Sequence, residues 1–243
     1  MNSPTFPHGA DAAGRPGALQ QPHVQVLAPL YVLVSQQAAQ PGPTPCRVLC
    51  EPIRIGQAAG TDAMVVYLSP LQACIDAAFL SLPAEQYQVV PASAFHPDQM
   101  IEQHHGRLPY CLHFAWAASN GCLVVRPEGG LVRLSTSRMG RMSSLLDAIP
   151  LHIELNELDC YERMWEYAGL FAHAECHARD LAMSEPERKR HAARALARIP
   201  GVCLPVGPIN QLALYDLESA HWHFVGLELF SELLAADHPC LAP

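Results

Sequence analysis

The sequence has almost no lysine and no long apolar segment. Lys189 is the only lysine beside fourteen arginines, so no other position can form a lysine Schiff base with a carbonyl substrate. Long apolar runs such as 63–68 and 122–125 have the length of single strands, far below the roughly 20 residues that a transmembrane helix requires. We therefore expect no membrane partner.

Short motifs of the common catalytic classes are also missing. The sequence contains no Gly-x-Ser-x-Gly turn, no Walker loop and no Gly-x-Gly-x-x-Gly turn, which supply a nucleophile or a phosphate cradle in many enzymes. No two of its nine cysteines show the two-residue gap of zinc ribbons and redox motifs. Acyl transfer, phosphoryl transfer and dinucleotide chemistry therefore have no support in the sequence.

The chain is acidic, with a formal net charge of −8. Because phosphate binding needs a dominant positive surface, this charge argues against nucleic acid as the main partner, although five basic residues crowd into 188–198. Residues 1–22 are rich in Pro, Gly and Ala, without the basic start and apolar core of a secretory signal. We expect a disordered tail over 1–22, one domain over 23–243 and a cytoplasmic location.

Strand patterns dominate the first half of the chain and helix patterns the second. Alternating apolar residues over 110–117 predict a strand, and Ser69-Pro70 is a helix start between the predicted strands 63–68 and 87–90. Ser184 and Glu187 fit a capping box at the start of another helix. The pattern predicts an α+β fold: a mixed, mainly antiparallel sheet of about seven strands, covered on one side by a layer of helices.

The most informative segment is 156–183, whose pattern predicts one long amphipathic helix. Apolar residues at helical spacing form one face, and the other collects acids and histidines. His173 and His177 are four residues apart, a spacing by which a helix presents two imidazoles to one zinc ion. However, the segment His-Ala-Glu-Cys-His lacks the glutamate that directly follows the first histidine in metalloproteases.

A second histidine pair, His221 and His223, alternates along a predicted strand. If the two pairs meet in space, they form a metal site. The candidate ligands for zinc or another divalent metal are His173, His177, Asp180, His221 and His223. A solvated helix face and a histidine pair without function explain the same residues without a metal.

Because strong catalytic signatures are absent, the sequence favours a non-enzymatic protein that binds another protein with a basic surface, without a cofactor. Its arginine bias and Ala, Gly and Pro usage are typical of GC-rich bacteria, where an acidic protein of this kind is an immunity protein or a secretion adaptor. The candidate binding residues are Glu154, Glu157, Asp159, Glu162 and Glu166. The alternatives are a metal-dependent hydrolase and an exported effector with a flexible leader.

Overall fold

The computed structural model of the chain describes residues 25–26, 29–37, 47–55, 58–81, 85–95, 97–141, 151, 153–205 and 207–228. The predicted tail 1–22 lies outside these residues. The described strands are β1 (Gln25–Val26), β2 (Tyr31–Gln37), β3 (Arg47–Val48), β4 (Cys50–Ile55), β5 (Ala58–Tyr67), β6 (Glu85–Pro91), β7 (Arg107–Ser119), β8 (Cys122–Val124), β9 (Arg133–Arg141), β10 (Ile153–Glu154), β11 (Val202–Cys203), β12 (Gln211–Asp216) and β13 (His221–Gly226).

The described helices are α1 (Pro70–Leu80), α2 (Asp98–Gln103), α3 (Leu155–Tyr167), α4 (His173–Ala182) and α5 (Glu185–Ala197), with one 3-10 turn at Ala92–Ala94. None of them combines the length and the apolar character needed to cross a lipid bilayer. Together with the strands they confirm the α+β class that the sequence predicts.

Eleven of the described strands form one sheet, and β1 pairs only with β10. Most neighbours in this sheet are antiparallel, whereas β5 with β7 and β8 with β11 are parallel pairs. The predicted mixed, mainly antiparallel sheet is therefore confirmed. The sheet has more strands than the seven predicted, because a two-residue strand such as β11 leaves no alternating pattern in the sequence.

Strand β7 is the centre of the sheet. It pairs with β5, β8, β9 and β12, and its residues 108–118 are all buried. Because successive side chains of a strand point to opposite faces, burial of every residue means that both faces of β7 are covered. The run from Tyr110 to Ala118 is apolar apart from His113, which is the composition that such a strand requires.

Helices cover both faces of the sheet, not one face as the sequence predicted. Alternate residues of β5 fall into different core clusters: Met64 and Val66 share a cluster with Met164 of α3, whereas Val65 and Tyr67 share one with Ala73 of α1. The alternation follows from the pleat of the strand. Burying both faces explains why 63–68 is apolar throughout.

Helix α1 begins as its sequence predicts. Ser69 is the N-cap and its Oγ accepts a hydrogen bond of 3.1 Å from the backbone amide of Gln72, while Pro70 occupies the first turn. The capping box of Ser184 and Glu187 at α5 is also confirmed. In both cases one local hydrogen bond pattern satisfies amides that a helix leaves unpaired at its start.

The predicted long helix 156–183 is wrong, because the segment folds as two helices. Helix α3 ends at Tyr167, and Gly169 has a φ of +77°, the left-handed conformation that terminates helices. The Gly169 amide donates to the Glu166 carbonyl and the Leu170 amide to the Trp165 carbonyl, both at 2.9 Å. The chain then turns back and resumes as α4, so the polar faces of α3 and α4 are not one continuous surface.

A network of buried charged side chains joins α1 to the sheet. Asp76 of α1 is fully buried and accepts hydrogen bonds from the Tyr67 hydroxyl at 2.7 Å, the Trp116 indole at 2.7 Å and Arg133 Nε at 2.5 Å. Arg133 Nη1 also donates to Glu51 at 2.6 Å. Burial opposes the charge on Arg133, but the anionic neighbours raise the pKa of its guanidinium well above the usual value.

Candidate functional site

The break between α3 and α4 places two helices face to face beside the start of α1. His173, the first residue of α4, packs against α3: its ring centroid lies 4.9 Å from that of Tyr161 and 5.0 Å from that of Trp165. His177, one turn later, stacks on His173 with centroids 6.0 Å apart and planes inclined by 18°. The two histidines therefore lie together, as their spacing predicts, but inside an aromatic cluster.

The environment keeps both imidazoles neutral. Burial, assisted by the neighbouring His177, lowers the pKa of His173 to about 4. Burial also lowers the pKa of His177, although the charge of Asp180 opposes the shift. Because both values lie below the ordinary histidine pKa of about 6.5, both rings are uncharged at neutral pH and each has a lone pair on one nitrogen.

Asp180, the carboxylate expected to complete a metal site, is used elsewhere. Its side chain is buried, and it accepts hydrogen bonds from Ser69 Oγ at 2.6 Å and from the Leu71 amide at 3.1 Å. Arg188 Nε lies 3.3 Å from its second oxygen. Asp180 therefore neutralises the positive N-terminal end of α1 and joins α1, α4 and α5, which is a structural role.

The second histidine pair does not complete the set of metal ligands. His221 is exposed and its Nδ1 lies 2.7 Å from the Ser219 carbonyl, whereas His223 Nε2 lies 4.0 Å from the Asp216 carboxylate. In the described part of the chain, no three His, Cys, Asp or Glu side chains form a group that could hold a metal ion. Of the candidate ligands, the structure thus brings His173 and His177 together and gives Asp180 other partners.

The predicted acidic surface is smaller than the sequence suggests. Glu157 is buried and accepts hydrogen bonds from Thr136 Oγ1 at 3.0 Å and from Arg138 Nε at 2.9 Å, so its carboxylate does not face solvent. Asp159, Glu162 and Glu166 are exposed on α3. The Glu154 side chain lies outside the described part of the structure.

Between α1, α3, α4 and the end of β12 lies a small pocket, which we call the inner pocket. Its volume is about 30 Å³, enough for two or three water molecules at roughly 10–15 Å³ each. Its lining includes Gln72, Trp165, His173 and Tyr215. His173 Nδ1 and the Tyr215 hydroxyl have no hydrogen bond partner among the described residues, whereas the Gln72 and Trp165 side chains interact with the Tyr161 hydroxyl.

A larger cleft adjoins the inner pocket and is called here the outer cleft. It has a volume of about 140 Å³ and shares Trp165, His173 and Cys176 with the inner pocket. The α3–α4 turn forms one wall, including Leu170 and Phe171. The outer cleft is therefore apolar on this side.

The opposite wall of the outer cleft is acidic and comes from the turn after β12. Asp216 and Glu218 line it. Burial opposes ionisation of Asp216, but hydrogen bonds from Ser219 and from the Glu218 amide lower its pKa below the ordinary value. Backbone amides of the turn thus stabilise the charge of Asp216, whereas the Glu218 side chain is exposed.

Sequence reasoning identified the histidines of this region but missed Gln72 and Tyr215. One signal was present for Gln72: it is polar within a helix whose residues 70–77 are all buried, and a polar residue in such a segment needs a partner.

Comparison with known proteins gives no match to a family model, to a curated protein or to a solved structure.

Proposed function

We propose that this chain binds another protein, and that the surface around the α3–α4 turn makes the contact. The observation that carries the proposal is the exposure of two aromatic rings there: Phe171 is 80% exposed and Tyr167 is 51% exposed. Large aromatic side chains are enriched among the residues that dominate binding energy at protein interfaces. Their exposure on one turn supports a contact surface at that place.

Charge complementarity supports a basic partner. Asp159, Glu162 and Glu166 on α3 and Glu218 beside the outer cleft are exposed carboxylates. Such charges mainly accelerate encounter with an oppositely charged surface and disfavour wrong partners. The partner that fits is therefore a protein with a basic surface that also offers apolar contact to Phe171.

Within this proposal the most specific role is that of a cytoplasmic bacterial immunity protein or secretion adaptor. That role rests on the acidic composition of the chain and on the lack of common catalytic motifs. In both cases the protein would act by covering a basic surface of its target.

The test begins with immobilised wild-type chain and its Phe171→Ser variant as baits for proteins of the source cell. A protein retained by the wild type and lost with the variant is then purified, and its Kd is measured at several salt concentrations. We expect Phe171→Ser to weaken binding at least ten-fold. Combined neutralisation by Glu162→Gln, Glu166→Gln and Glu218→Gln should slow association and flatten the salt dependence.

Glu102→Gln, which neutralises an exposed carboxylate of α2, is the matched control and should leave the Kd unchanged. The proposal fails if no protein distinguishes the wild type from Phe171→Ser. It also fails if the triple neutralisation changes neither the association rate nor its dependence on salt.

A metal-dependent hydrolase is the second candidate. The adjacency of His173 and His177 favours it, and the engagement of Asp180 with α1 and Arg188 weighs against it. Metal analysis of protein purified without an affinity tag separates the two proposals: stoichiometric zinc that disappears in His173→Ala would support the hydrolase. An exported effector is the third candidate, tested by deleting residues 1–22 and measuring export.

A further inference from the structure

The outer cleft combines aromatic rings with carboxylates. Its lining includes Phe171 and Trp165 on the side of the α3–α4 turn, and Asp216 and Glu218 on the side of the turn after β12. Phe171 is 80% exposed, so most of its ring is accessible to a ligand. Because the face of an aromatic ring carries partial negative charge, accessible rings beside carboxylates are suited to bind an organic cation.

The two carboxylates give the outer cleft a negative potential. Burial opposes the charge on Asp216, but hydrogen bonds from Ser219 and the Glu218 amide lower its pKa, so Asp216 is ionised at neutral pH. Burial raises the pKa of the Cys176 thiol, which also lines the cleft, and the charges of Asp216 and Glu218 raise it further. The positive charge of Arg179 opposes this shift more weakly. A cation in the cleft is therefore attracted.

Both carboxylates can accept further hydrogen bonds from a cation. Each oxygen of Asp216 accepts one backbone hydrogen bond, at 3.0 Å and 2.9 Å, and an ionised carboxylate has about four lone-pair sites. His223 Nε2 lies 4.0 Å from Asp216, beyond the distance of a hydrogen bond. Glu218 is exposed, and within the described part of the chain its side chain forms no ion pair. Acceptor sites for a donor from outside the chain are thus available.

The histidine in the lining of the outer cleft does not repel a cation. Burial, assisted by the neighbouring His177, lowers the pKa of His173 to about 4, so its ring is uncharged at neutral pH. The centroid of this ring lies 5.0 Å from that of Trp165, with the two planes inclined by 34°. His173 therefore extends the aromatic side of the cleft without adding a positive charge.

The size of the outer cleft fits the head group of one side chain. Its volume of about 140 Å³ is close to the roughly 150 Å³ of an engineered cavity that binds benzene. Guanidinium is a planar cation that stacks on aromatic rings and donates two parallel hydrogen bonds to a carboxylate. Arginine is also enriched among the residues that dominate binding energy at interfaces. We propose that the outer cleft receives an arginine side chain of the partner, stacked on Phe171 and paired with Glu218.

This inference rests on the protein-binding proposal, because it names one contact of that partner, but its test needs no partner. The peptide acetyl-Gly-Arg-Gly-amide is titrated into the ¹⁵N-labelled full-length chain, and backbone amide signals are followed by NMR. Gly169 and Ala172 line the outer cleft and report on binding. Gly129, in the turn between β8 and β9, is the reference. A peptide with citrulline in place of arginine has the same shape without the charge.

We expect the arginine peptide to shift the signals of Gly169 and Ala172 in a saturable manner while that of Gly129 stays in place. The citrulline peptide should bind at least about ten-fold more weakly, because it has no charge to pair with the carboxylates. Glu218→Gln should weaken binding of the arginine peptide at least about three-fold. Glu102→Gln, the same change at an exposed carboxylate of α2, is the matched control and should have no effect.

Two further comparisons test the stacking on Phe171. Phe171→Leu keeps an apolar side chain but removes the aromatic face, and it should weaken binding of the arginine peptide about two- to five-fold. A peptide with lysine in place of arginine keeps the charge without the planar group, so we expect it to bind more weakly than the arginine peptide. Both variant positions, Phe171 and Glu218, are exposed, so neither substitution disturbs the core.

Four results would overturn the inference. They are the absence of a saturable shift up to the solubility limit of the arginine peptide, citrulline binding as tight as arginine binding, lysine binding at least as tight as arginine binding, and unchanged affinity in either Glu218→Gln or Phe171→Leu. If a partner is retained through Phe171 but the arginine peptide does not bind, this inference alone fails. If the peptide binds as expected but no partner is retained, the protein-binding proposal fails while the guanidinium site stands.

Discussion

Replacing Arg133 by methionine tests whether the buried network of Asp76, Arg133 and Glu51 holds α1 on the sheet. Arg133 is 3% exposed and Asp76 is fully buried, so the substitution leaves the Asp76 carboxylate without a counter-charge in the core. Glu51 keeps its pair with Arg126 at 2.7 Å, which confines the penalty mainly to Asp76. Removing one partner of a buried ion pair typically costs about 3–5 kcal/mol.

That loss is large beside the roughly 5–15 kcal/mol that stabilises most domains. With a urea m-value of about 3 kcal/mol per M for a chain of this size, the unfolding midpoint should fall by about 1–2 M. Circular dichroism in urea measures it. Lys189→Met is the control, because the pair of Lys189 and Glu185 is largely exposed and its loss should leave the midpoint in place.

A second variant sharpens the test. Adding Asp76→Asn to Arg133→Met removes the uncompensated charge, so the double variant should be more stable than Arg133→Met alone, although each substitution destabilises by itself. The reasoning is refuted if Arg133→Met costs less than about 1 kcal/mol. It is also refuted if the two losses simply add, because then Asp76 does not depend on Arg133.

Three further predictions concern single residues. Burial lowers the pKa of His113 to about 3, so between pH 7 and pH 5 the unfolded chain binds a proton that the folded chain does not, and the folded state loses stability as the pH falls. Chemical denaturation should show that the wild type loses about 2 kcal/mol more than His113→Leu over this range, and equal losses would contradict the prediction. Asp180→Asn removes a charged acceptor from Ser69 and the start of α1 and should cost about 1.5–3 kcal/mol in the same assay; an unchanged stability would leave Asp180 free for another role. Gly169→Ala forces a left-handed conformation on a residue with a Cβ and should cost about 1–2 kcal/mol, whereas a variant with a higher thermal midpoint and more helix by circular dichroism would mean that α3 and α4 had fused.

Local signals in the sequence predicted the parts of the fold that depend on near neighbours. The caps at Ser69 and Ser184 were found because the bonds that they make span three residues. The break between α3 and α4 was not predicted, because helical periodicity continues on both sides of Gly169 and one glycine costs a helix only about 1 kcal/mol. The left-handed turn there is favoured by packing of His173 on Tyr161 and Trp165, which no spacing rule contains.

The candidate site was predictable only in part for the same reason. His173 and His177 belong to one helix, so their spacing alone placed them side by side. Gln72, Trp165 and Tyr215 come from α1, α3 and β12, and only the packing of these elements brings them to one pocket. Asp180 was expected to be available as a ligand because its partners, Ser69 and Leu71, lie more than 100 residues earlier.

The position of β7 at the centre of the sheet constrains how the chain folds during its synthesis. Its neighbour β12 begins 92 residues after β7 ends, an interval of roughly 5–20 s at the usual speed of a ribosome. Throughout that interval Trp116 and Ala117, whose places opposite β12 are fixed in the finished sheet, belong to an unprotected strand edge of the nascent polypeptide. Such an edge is a template for wrong pairing between chains, so we expect correct folding in the cell to depend on shielding β7 until the last strands leave the ribosome.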